Sequence, residues 1–195
     1  MNSNLPLLNA RQLETTEVRA RDGTVGRIDD LLFDDATWTV RYVVVDTGVW
    51  LAGRRVLLAP HAIEGRAEET NCVSVNLTQE QIRHSPEAKS DQVTREHEAR
   101  LHEHYRWPLY WAPAHTPFAG DAIPPPAAFE RPAPRVPPAE IGHDPHLRSA
   151  RHVRGYRLAA TDGSIGVLED LLLEPKSWRI AFLIADTNGW LPGGK

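Results

Sequence analysis

A chain of 195 residues with 41% hydrophobic residues is long enough for one medium domain or two small ones with real cores. With 22 basic against 26 acidic residues the formal charge is −4, which excludes a nucleic-acid or membrane field spread over the whole surface and leaves such partners only a local patch. Cys72 is the single cysteine, so no intrachain disulfide forms. The N-terminal Met1-Asn2-Ser3-Asn4-Leu5-Pro6 lacks signal-peptide patterning, and apolar runs such as Val43-Val44-Val45 fall far short of the roughly 20 residues a membrane helix needs. These features together predict a cytoplasmic protein with no membrane span.

In chain order, Val18-Arg19-Ala20 and Thr24-Val25 flank the tight-turn pair Asp22-Gly23 and read as an antiparallel hairpin. Gly26 falls inside the second strand. Val25 and Ile28 differ in parity, so that strand is expected to bulge at the glycine to bring both inward. Asp29-Asp30 and Leu31-Leu32 follow. After Trp38 comes the strand Thr39 to Asp46, whose Val40, Tyr42 and Val44 alternate as an expected core face, with Arg41 on a variable outer face. Asp46-Thr47-Gly48 reads as the next turn, and Trp50-Leu51 opens the return strand. The segment Arg54-Arg55-Val56-Leu57-Leu58 continues into an expected turn near Glu64-Gly65 and a strand from Cys72 to Leu77. Roughly six short strands suit a small barrel. Thr78 with Gln81 three residues on forms a capping box for a helix start.

The same pattern returns 140 positions later. Leu8 to Arg55 aligns with Arg148 to Lys195 without a gap, with identities that include Ala10/Ala150, Arg11/Arg151, Asp22/Asp162, Gly23/Gly163, Gly26/Gly166, Asp30/Asp170, Trp38/Trp178, Asp46/Asp186 and Trp50/Trp190. Val25/Ile165, Ile28/Leu168, Val40/Ile180, Tyr42/Phe182 and Val44/Ile184 keep apolar character, as two copies of one core require. Residues 84 to 150, between the copies, hold twelve of the sixteen prolines, which excludes a helix or a central strand through Pro124-Pro125-Pro126 and Pro137-Pro138 and predicts a tether. Its first part, Lys89 to His104, reads as a short polar helix with few apolar anchors. Trp107, Tyr110 and Trp111 are expected to pin it to a barrel surface. The second copy, aligned to Arg55 at Lys195, has no counterpart of the later strands of the first. Truncation is the favoured explanation; strands supplied from another chain, with oligomerisation, are the alternative.

The pattern Asp-Gly-x-x-Gly-x-x-x-Asp-Leu-Leu, then Trp-x-x-Arg-Tyr-Val-Val-Val-Asp-Thr-Gly-x-Trp-Leu, with Val75-Asn76-Leu77-Thr78 downstream, resembles the PRC-barrel family, named for the cytoplasmic domain of the photosynthetic reaction-centre H subunit. The resemblance covers about residues 7 to 83 well and 147 to 195 partly, and 105 to 111 resembles a segment after the first barrel of tandem members. It implies an all-β chain: one complete barrel at 7–84, a linker at 85–146, and an incomplete barrel at 147–195. It also implies docking without a general catalytic residue set, possible attachment to a membrane-protein complex, and, through a ribosome-maturation relative, an RNA-associated alternative.

Chemical constellations are weighed against plainer readings. Asp46-Thr47-Gly48 evokes an aspartic-protease dyad, but the second copy reads Asp-Thr-Asn, and a hairpin turn is preferred. Adjacent acids Asp29-Asp30 and Glu169-Asp170 point to opposite strand faces, so a solvated rim is preferred to an acid-base pair, with Asp30 and Asp170 as structural hydrogen-bond acceptors. Histidines 97, 102 and 104, with His115, His143, His146 and His152, suggest metal. Helical spacing does not converge 97, 102 and 104, and a solvated histidine-rich linker is preferred. Arg54-Arg55 beside Trp50 are weak evidence for RNA. We therefore expect no enzyme, no cofactor and no metal, and a protein partner bound through Trp50, Arg54, Arg55, Trp107, Tyr110 and Trp111.

Overall fold

The computed structural model describes residues 6–67, 71–87, 93–107, 146–161 and 163–187. Two β-sheets carry it, one per sequence copy. In the first copy β1 (Leu8–Asn9) leads into a one-turn helix α1 (Ala10–Leu13), then β2 (Glu17–Ala20), β3 (Gly23–Asp34), β4 (Thr39–Asp46), β5 (Arg55–Leu58), β6 (Ile63–Ala67) and β7 (Cys72–Val75). Helix α2 (Gln79–Arg83) follows, then α3 (Arg95–Tyr105). The second copy gives β8 (Leu147–Ser149), α4 (Ala150–Val153), β9 (Arg157–Ala160), β10 (Gly163–Leu173) and β11 (Ile180–Asp186). The first sheet runs β5-β4-β3-β2-β7-β6, antiparallel except for the parallel β2–β7 pair.

The glycine expected to bulge does so. Gly26 sits where a Cβ would lie 2.0 Å from the Asp46 carbonyl oxygen, and Gly166, at φ +143°, stands 2.1 Å from that of Asp186 by the same measure. Only glycine admits this approach between neighbouring strands. The registers shift beside it, between Val18 and Arg19 in one copy and between Ser164 and Gly166 in the other. Val25 and Ile28 are both buried as a result.

The alternation expected of β4 is corrected. Leu32 pairs with Tyr42 but Phe33 pairs with Val40, so Arg41 is an extra residue and the side-chain parity flips there. Val40, Val43 and Val45 enter the main core, while Tyr42 and Val44 lie on the opposite face with Leu32 and Leu57, covered by Val93 and Leu101 of the segment around α3. The expected turn at Glu64-Gly65 is also corrected, since both residues lie within β6 and the register shift between Ile63 and Gly65 marks a bulge.

The copies do not sit apart on a tether. β1 leaves its own copy and pairs with β10 of the second, Leu8 opposite Leu173 and Asn9 opposite Leu172. β8 pairs reciprocally with β3, Arg148 opposite Phe33 and Ser149 opposite Leu32. A shift of 140 residues maps each pair onto the other, so the arrangement is an intramolecular two-fold with exchanged arms. Trp38 and Trp178 complete the symmetry: the Ile180 amide donates to the Trp38 carbonyl at 2.7 Å and the Val40 amide to the Trp178 carbonyl at 2.9 Å. One apolar core runs through both copies, joining Leu13, Val18 and Leu31 to Val153, Leu171 and Leu173. No helix among the described residues is long and apolar enough to cross a membrane.

Candidate functional site, the junction of the two copies

Each exchanged arm is locked by an aspartate of the other copy. The Asn9 side chain caps α1 by accepting the Gln12 amide, and Ser149 caps α4 by accepting the His152 amide at 2.9 Å. The next amide in each arm turns outward across the junction. Arg151 N–H donates to Asp30 Oδ1 at 3.0 Å, and Arg11 N–H donates to Asp170 Oδ1 at 3.3 Å. The Ser149 hydroxyl also donates to Asp30. Each aspartate accepts the amide of its own following leucine as well, Leu31 at 2.7 Å and Leu171 at 2.8 Å. Asp170 is buried, and these amides, together with the positive end of the short helix, are what keep an uncompensated carboxylate there tolerable.

Charge pairs extend the lock. Arg151 binds Asp29 at 2.8 Å, Arg148 binds Asp35 at 2.9 Å, and Arg154 binds Glu14 at 2.5 Å. Glu14 and Arg154 occupy equivalent positions of the two copies, so their contact lies on the two-fold axis. Burial raises the Glu14 pKa above the ordinary carboxylate value, opposed by the Arg154 guanidinium.

A cleft of about 550 Å³ opens where the copies and α3 meet, with Tyr42 and His61 from the first copy, His102 from α3, and Lys176 and Trp178 from the second among its walls. Behind it, the Tyr42 hydroxyl donates to Glu98 Oε1 at 3.0 Å and meets His102 Nε2 at 2.9 Å, while Arg95 pairs with Glu98 at 3.2 Å. Tyr42, Glu98 and His102 are buried and satisfy one another, an arrangement that pins α3 rather than presenting a reactive group to solvent. Trp107 stacks on Tyr105 at 4.3 Å and meets His61 edge-on at 4.8 Å. Burial pushes the Tyr105 hydroxyl up to about 12.

Of the interface residues expected from sequence, Trp50, Arg54, Arg55 and Trp107 lie among the described residues. Trp107 lies beside the cleft, held against the first copy. Trp50 packs against the core with the Arg83 guanidinium 5.7 Å from its ring centre. Arg54 is spent internally, donating to the carbonyls of Arg83 and Ser85, and Arg55 pairs with Asp29 at 3.2 Å. Tyr110, Trp111, Asp162 and Trp190 lie outside the described residues. Among the turn residues, Asp22 accepts the Gln79 amide at 2.7 Å to fix the start of α2, and Gly23 and Gly163 begin β3 and β10. Asp46 accepts the Gly48 amide at 2.8 Å in its turn, while Asp186 ends β11 opposite Val167. Among the described residues no three histidine, cysteine or carboxylate side chains converge on a metal position. His104 instead donates to the Gln81 carbonyl at 2.8 Å, and His146 meets Asp35 at 2.9 Å.

Sequence reasoning missed the arms. The signal was present: Asn9 and Ser149 are both helix caps, and the next residues, Ala-Arg, are identical in the two copies. Comparison with curated proteins gives no match. Residues 7–72, about a third of the chain, match the family model of the PRC-barrel domain, the family that the motifs of the first copy resemble.

Proposed function

We propose that the chain is an adaptor that binds a protein partner across the junction of its two copies. The observation that carries this reading is the reciprocal arm exchange, which fixes a cleft whose walls come from both copies and from α3. A site preorganised in this way loses little conformational entropy on binding. Its apolar floor, with Trp178 and Val40, and the exposed Lys176 at its rim suit a loop carrying an acidic residue beside an aromatic or aliphatic anchor. Arg54 donates to the carbonyls of Arg83 and Ser85 and Arg55 pairs with Asp29, so neither adds support to an RNA partner. Attachment to a membrane-protein complex, as the resemblance to the reaction-centre subunit implies, is one setting for such an adaptor.

The test is affinity purification of the tagged chain with and without nuclease, for the parent and for a His61→Glu, Lys176→Glu variant. We expect one protein partner to persist through nuclease treatment and its recovery to fall at least about tenfold in the variant. A partner lost with nuclease, or retained equally by the variant, contradicts the reading.

A further inference from the structure

The bulge in β6 turns an arginine toward the core. Ile63 lies opposite Val75, but the extra residue Glu64 changes the parity, so that Arg66 lies opposite Val73. Residues directly opposite on paired strands share a face, and Val73 and Val75 belong to the main core. Regular alternation from Ile63 would have turned Arg66 outward. Its Nε is buried with no hydrogen-bond partner, and among the described residues its guanidinium makes no ion pair. Arg41, Arg54 and Arg154, by contrast, anchor their guanidinium groups on Asp34, on the Arg83 carbonyl and on Glu14. A pocket of about 280 Å³ opens beside Arg66, walled by Leu8 and Leu13 of the first arm, Ile63 and Val73 of the sheet, and Trp178 of the second copy. Glu64 also borders it, and its carboxylate pairs with Arg21 at 3.7 Å.

We propose that this pocket binds a small aromatic monocarboxylate, its carboxylate held by Arg66 and its ring among the apolar walls. A partly buried guanidinium without an acceptor is costly, and a carboxylate supplies the acceptor, its two oxygens matching the planar fork. A single cation in apolar surroundings suits a single negative charge; a dianion such as phosphate would stay half-compensated there. The volume lies at the lower end of ligand pockets, and leucine, isoleucine, valine and tryptophan walls favour a flat apolar body over a sugar or a chain of polar groups. The site depends on the union of the copies, since Leu8 and Trp178 reach it from opposite partners of the arm exchange. It shares Ile63 and Trp178 with the junction cleft, but neither His61 nor Lys176 lines it.

The probes are benzoate, phenylacetate and 3-phenylpropionate, titrated into the full chain by calorimetry at about 0.15 M salt, with the corresponding alcohols and inorganic phosphate as controls. At least one acid should bind with a Kd below about 1 mM, which roughly ten heavy atoms can supply, and its alcohol at least about tenfold more weakly. The methyl resonances of Leu13 and Val73 should shift as the acid binds. Arg66→Gln should lower the affinity at least about tenfold yet keep the parent melting temperature, because the guanidinium holds no acceptor in the free chain. No acid binding below about 1 mM, equal binding of the alcohols, or tighter binding of phosphate overturns the proposal. So does an unchanged acid affinity in Arg66→Gln. If no acid binds and Arg66→Gln loses the protein partner in affinity purification, an acidic side chain of that partner is the occupant and the proposal fails. The His61→Glu, Lys176→Glu variant should bind the acid within about threefold of the parent, so failure of the cleft and failure of the pocket are separable.

Discussion

Asp30 and Asp170 are the residues on which the arrangement turns, because each spends its carboxylate on an arm from the other copy. Replacing Asp170 by alanine leaves the Arg11 amide without its acceptor and removes a favourable charge from the start of α1. We expect a loss of about 1–3 kcal/mol in urea denaturation. Tyr42→Phe removes the hydroxyl that joins Glu98 and His102, and the buried groups left behind should cost about 1–3 kcal/mol. His97 gives a pH dependence of known sign. Burial and the Arg100 charge lower its pKa below the ordinary 6.5, so the unfolded chain takes up the proton first. The stability it contributes is whole above pH 6.5 and falls as the pH drops through the lowered value. Melting temperatures measured downward from neutral pH should therefore fall more steeply for the parent than for His97→Asn.

At the scale of elements, α3 is held by side chains on one stripe, where Leu101 joins Tyr42, Val44 and Leu57. Leu101→Ala should destabilise by about 2–5 kcal/mol and raise amide exchange throughout α3. The parts legible in sequence were those governed by neighbours in the chain. Asp22-Gly23 announces its hairpin, Gly26 its bulge between Val25 and Ile28, and Thr78 with Gln81 its capping box. The faces of β4 were not legible, because the bulge at Arg41 arises from pairing with β3 and not from any local pattern. The docking of α3 was hidden for a related reason: its anchors include Glu98 and His102, polar residues that bury only because Tyr42 and Arg95 satisfy them. The repeat was plain, whereas the exchange of its arms depends on contacts more than a hundred residues apart, such as Arg151 with Asp30.

On the scale of the molecule, the two copies share one core and should melt as one unit. The junction cleft inherits its shape from that union, so any change that separates the copies should abolish partner binding without touching a cleft residue. The central claim is that the exchanged arms, and not the proline-rich connection, hold the copies together. It is tested most directly by placing a specific protease site after Pro126, cleaving to completion, and analysing the product by size-exclusion chromatography with light scattering. The account predicts that both fragments co-elute at the mass of the uncut chain and separate when Asp30 and Asp170 are both replaced by alanine. Fragments of the parent that separate on cleavage would contradict it.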